Sequence, residues 1–156
     1  MEKRVECKDI AMAYKVLAGA KYQKMSDDDR VKIWKITRAL KAVAVSYESD
    51  VQSAQKELMP NDEFPQNFQK ARQYEQMRDK NEENLPMSES EYNEFVELFK
   101  DYQTLVNQAL EDIAKKEIAL DFEPISEEAF GQLMASNDWT LEQANALGEV
   151  IVYQKS

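Results

Sequence analysis

SDDDRVKIWKITRALKAVAVSYESDVQSAQKELMP, residues 26–60, contains no glycine and no proline before its last position. Apolar or small residues recur at Ile33, Ile36, Leu40, Val43, Tyr47, Val51, Ala54 and Leu58, always three or four apart. That period lines them along one face of an α-helix and makes the seam of a coiled-coil-like helix. Ser26 is placed to accept a hydrogen bond from a free N–H of the first turn, and Asp27, Asp28 and Asp29 favour the positive end of the helix dipole. Pro60 ends the helix, because the residue before a proline avoids the helical region. At about 1.5 Å per residue the helix is on the order of 50 Å long.

Further along, Ser88 and Glu91 form a capping-box pattern that opens a second long helix, expected to run to about Lys116. Its ladder is Tyr92, Phe95, Phe99, Tyr102, Val106, Ala109 and Ile113. Two such helices pack most simply as an antiparallel pair, each burying its stripe along the other. Residues 60–87 between them read as a partly irregular connector: Asn61–Pro65 as a loop, and 68–83 as a mostly polar stretch that can be helical. Towards the N-terminus, Ile10, Ala13, Tyr14 and Leu17 predict a short helix from Asp9 to Lys24, weakened by Gly19.

Beyond Lys116 the pattern changes. Residues 117–125 alternate apolar and polar and end near Pro124, an extended segment. Ser126 starts a short helix with Phe130, Leu133 and Met134, Ser136-Asn137-Asp138 breaks it, and Thr140 with Gln143 caps another. The tail Val150–Tyr153 reads equally as a last helical turn or as a strand beside 117–123. The fold class is therefore mainly α: a long antiparallel helical hairpin, a short N-terminal helix, and a small C-terminal subdomain of short helices with one or two short strands. The chain reads as a single domain over 1–156, with the hairpin core in 1–116 and the subdomain in 117–156.

Composition narrows the chemistry. Three glycines and four prolines are too few for an all-β fold with frequent turns. No apolar run approaches the roughly 20 residues of a membrane span, and the N-terminus lacks the apolar core of a secretory signal. A single cysteine, Cys7, forms no internal disulfide, so a cytoplasmic location is expected. Residues 1–59 carry 12 basic and 9 acidic groups, net +3, whereas 60–156 carry 8 and 21, net −13. A chain this acidic attracts few phosphates, so nucleic acid is not an expected partner. The basic run Arg30, Lys32, Lys35, Arg38 and Lys41 is expected to meet Glu111, Asp112 and Glu117 across the hairpin.

There is no histidine, which removes the Ser-His-Asp triad and every His-containing metal site. One cysteine excludes thiolate clusters, and Gly19, Gly131 and Gly148 are isolated, so there is no glycine-rich phosphate loop. Asp27-Asp28-Asp29 lacks the alternation, central glycine and late glutamate of an EF-hand and reads as a helix cap. No catalytic, cofactor-binding or metal-binding residue is expected, and no cofactor. What stands out is a face. On a helical wheel Val31, Trp34 and Val45 lie nearly opposite the Ile33–Leu40–Tyr47 stripe and need a cover. The short first helix is the nearest candidate; a second copy of the chain is the other, and a face left exposed predicts a homodimer rather than a monomer.

The layout of Ile10-Ala-x-Ala13-Tyr14-x-x-Leu17, a long charged hairpin, and then Phe122-Glu123-Pro124-Ile125 before two short helices resembles small phage- and prophage-encoded helical-hairpin proteins. The resemblance implies no catalytic residues; it implies an interaction or assembly role. The expected function is a non-enzymatic interaction or assembly protein engaging a protein partner or itself, with an acidic inhibitor or nucleic-acid mimic that binds a basic protein as the alternative.

Overall fold

The computed structural model describes residues 3–152. The fold is mainly α, with six helices and one two-stranded antiparallel sheet among the described residues. In chain order the elements are β1 (Lys3–Glu6), α1 (Cys7–Ala18), α2 (Asp27–Glu57), α3 (Phe64–Asp79), α4 (Glu89–Lys115), β2 (Glu117–Leu120), α5 (Glu127–Ala135) and α6 (Leu141–Ile151). They fall into two compact units, Met1–Asp50 with Asp112–Ser156, and Val51–Glu111.

Local chemistry sets the helix starts. The Ser26 hydroxyl accepts from Asp29 N–H at 3.2 Å and donates to the Asp29 carboxylate at 3.0 Å, and the three aspartates fill the first turn of α2. Ser88 accepts from Glu91 N–H at 3.1 Å while the Glu91 carboxylate accepts from Ser88 N–H at 3.4 Å, the reciprocal box expected for α4. Thr140 and Gln143 do the same for α6, at 3.0 and 3.1 Å. Gly19 does more than weaken the first helix. It occupies the C-cap of α1, and the chain leaves the helix there rather than at Lys24.

In the first unit, one cluster gathers Ile10, Ala13 and Leu17 of α1, Ile33, Ile36 and Leu40 of α2, Leu133 of α5, and Leu147, Val150 and Ile151 of α6. Leu120 and Ile125 join it from β2 and the loop that follows. β1 pairs with β2 in the register Lys3↔Leu120 to Glu6↔Glu117, and Val5 turns into the cluster. The extended segment at 117–120 is thus a strand, but its partner is the start of the chain. Val150 and Ile151 belong to α6, and Val152 makes only an isolated parallel bridge to Ile125. Tyr153, the end of the expected tail, lies outside the described residues.

The second unit is built on α3 and α4. Phe64, Ala71 and Phe95 are buried, with Phe68, Tyr92, Phe99 and Tyr102 packed around them. Ring centroids lie 5.5 Å apart for Phe64–Phe95 and 4.7 Å for Phe64–Tyr102, the spacing at which aromatic pairs attract. The expected connector is therefore largely a helix, starting at Phe64 with Pro65 in its first turn, where a missing N–H costs nothing. Within this unit the Tyr102 hydroxyl donates to the Gln55 carbonyl at 2.8 Å, and within the first unit Val43, Tyr47 and Asp50 of α2 line one cavity with Asp112 and Ile113 of α4.

The ladder residues face inward within each unit, and their neighbours differ along each helix. Ile33, Ile36 and Leu40 pack against α1, α5 and α6, whereas Phe95, Phe99 and Tyr102 pack against α3. The charge pairing differs as well. Glu117 meets Arg4 at 3.4 Å, and of the basic run on α2 it is Lys32 that reaches a distant carboxylate, Glu123, at 3.2 Å.

Candidate functional site

α2 carries the feature that the fold leaves unused. Its stripe at Ile33, Ile36 and Leu40 is buried, while Val31, Trp34 and Val45 are 51 %, 56 % and 55 % exposed. The cover expected from the first helix is not there. The apolar face of α1, Ile10, Ala13 and Leu17, is spent in the cluster with the inner stripe of α2, so nothing of it remains for the outer one. At 100° per residue Val31, Trp34, Arg38 and Val45 lie within about 60° of one another and span about 21 Å of helix. Scattered exposed apolar residues are ordinary on a protein surface. Three of them on one arc of one helix, including a tryptophan, form a patch.

Charge surrounds that patch. The Arg38 guanidinium stands 4.9 Å from the Trp34 ring centroid, a cation–π arrangement that holds both side chains against the helix. Lys35 and Lys41 are exposed, and Arg38 is exposed too. Arg30 is turned the other way: it donates to the backbone carbonyls of Tyr22 and Gln23 and ties the α1–α2 loop to the first turn of α2.

A second feature of the first unit had no signal in the sequence. A cavity of about 700 Å3 is lined by Cys7, Val43, Tyr47, Asp50, Ile113, Lys116 and Ile118 together with neighbouring residues of the same helices. Cys7 is buried in its wall. Burial pushes the Cys7 thiol up from its ordinary pKa, Lys116 pulls it down and Asp50 adds to the rise. The thiol is thus protonated at neutral pH and a poor nucleophile. Reading this cavity from the sequence would have required the pairing of β1 with β2, which brings Cys7 N–H to the Lys116 carbonyl at 2.9 Å.

In the second unit Tyr92 donates to the Glu75 carboxylate, its ring stacks on Tyr74 at 4.5 Å, and Arg78 sits 5.5 and 5.4 Å from the two ring centroids. The bond to Glu75, then burial, raises the Tyr92 pKa. These contacts fasten α3 to α4. Among the described residues no group of three or more cysteine, aspartate or glutamate side chains is placed to hold a metal ion, and no helix is long and apolar enough to cross a membrane.

Comparison with known proteins returns no matching family model, no matching curated protein and no matching solved structure.

Proposed function

We propose that the protein is a non-enzymatic interaction or assembly factor that docks a protein partner on the outer face of α2. The observation that carries this reading is the exposure of Val31, Trp34 and Val45 on a helix whose opposite residues Ile33, Ile36 and Leu40 are buried. A tryptophan with an arginine stacked on it is the composition of an interaction hot spot. The resemblance of the layout to phage- and prophage-encoded proteins supports an assembly or adaptor role in that setting. The lone cysteine is consistent with a cytoplasmic site of action.

The test is affinity capture of the tagged full chain from cells carrying its native gene neighbourhood, wild type beside Trp34→Glu. A partner held by the wild type and lost from the variant supports the reading. A catalytic activity in a broad substrate screen that vanishes on changing one carboxylate would remove it. The net −13 over residues 60–156 favours a second reading, an acidic inhibitor or nucleic-acid mimic. That reading predicts a basic partner, salt-sensitive binding and indifference to Trp34→Glu.

A further inference from the structure

We infer that the occupant of the α2 face is an acidic amphipathic helix of a partner protein, with carboxylates flanking an apolar stripe. This inference rests on the reading of α2 as a docking surface and adds the chemistry of what docks.

Between Asp29 and Glu48 the chain has five basic residues and no acidic one, although its net charge is −10. Two of the five are used within the fold. Lys32 pairs with Glu123 at 3.2 Å, and Arg30 donates to the loop carbonyls of Tyr22 and Gln23. Lys35, Arg38 and Lys41 are exposed, and among the described residues they make no ion pair. At 100° per residue Lys35 and Lys41 fall on opposite edges of the Val31–Trp34–Val45 arc, with Arg38 inside it. An apolar strip bordered on both sides by unpaired cations matches a guest helix of about four turns with leucine-like residues on its stripe and glutamates beside it.

Other occupants fit less well. A second copy docking by the same face around a two-fold axis would set Lys35, Arg38 and Lys41 against their own counterparts, like charge on like charge. A nucleic acid would satisfy the cations but gain nothing from Val31 and Val45, and the net negative charge of the chain repels a polyanion.

The experiment uses the full chain and a fluorescent synthetic helical peptide with leucine on one stripe and glutamate on both flanks, beside a matched peptide with lysine in place of glutamate. Anisotropy should show the glutamate peptide binding to the wild type at low salt. Binding should fall at least tenfold in Lys35→Glu/Arg38→Glu/Lys41→Glu and in Trp34→Glu, and the triple variant should acquire affinity for the lysine peptide. Denaturation curves confirm the fold of each variant, with Arg38→Glu alone as the milder substitute. Equal binding of the two peptides, or affinity unchanged by charge reversal, overturns the inference. So does a wild-type dimer that Trp34→Glu dissolves, which makes the second copy the occupant, or a DNA duplex bound in place of the peptide. If Trp34→Glu abolishes capture of the native partner while charge reversal does not, the docking surface stands and its acidic guest is lost. If neither change matters, both readings are lost.

Discussion

Asn137 stitches the first unit together with one side chain. Its Oδ1 accepts from Lys21 N–H at 2.8 Å, and its Nδ2 donates to the carbonyls of Lys21 at 2.7 Å and Leu133 at 2.8 Å. Read in sequence it is only a helix breaker; in the fold it pairs like a short strand with a loop 116 residues away. Asn137→Ala removes these bonds, two of them exposed so that water can replace them, and should lower the unfolding free energy by about 1 kcal/mol in chemical denaturation. Tyr92 makes a prediction in pH. Its pKa is raised in the folded state, chiefly by the bond to Glu75, so its contribution is complete below the unfolded value of about 10 and is lost as pH climbs through the folded one. Tyr92→Phe should therefore melt below wild type at pH 7, and the gap should close in strongly alkaline buffer. Cys7, with its thiol raised by burial, should react with an alkylating reagent more slowly at pH 8 in the native protein than in denaturant.

The helices themselves were largely legible because their starts are written in short-range chemistry. Ser26, Ser88, Ser126 and Thr140 all accept the first-turn N–H bonds that their positions predict. Ser88→Ala should cost about 1 kcal/mol, read as a lower denaturation midpoint with an unchanged slope. Elements held by distant partners were harder to read. β1 is four residues with a single inward apolar side chain, Val5, too short to show a period. Its partner β2 lies about three quarters of the chain away, and no local pattern encodes that. α3 was ambiguous for a different reason: it buries only Phe64, Ala71 and Tyr74 among sixteen residues, so its inward stripe is thin and its surface polar.

In the molecule as assembled, the apolar period told which face of each long helix turns inward but not what that face meets. Ile33, Ile36 and Leu40 of the α2 ladder join a cluster with α1, α5 and α6, and Phe95, Phe99 and Tyr102 of the α4 ladder pack against α3. The outer arc of α2 was also legible, as Val31, Trp34 and Val45 opposite the stripe; that α1 would be used up on the inner side was not, since it depends on where α6 docks. The two faces should respond differently to substitution. Leu40→Ala, at a fully buried site, should cost about 2–5 kcal/mol, whereas Trp34→Glu should leave the unfolding free energy within about 0.5 kcal/mol of wild type. The most direct measurement is acrylamide quenching of Trp139→Phe, in which Trp34 is the remaining tryptophan, followed through dilution. Emission at the water-exposed limit and efficient quenching are expected at every concentration of the protein alone. Blue-shifted emission from a shielded ring would contradict this, because the face would then already be covered.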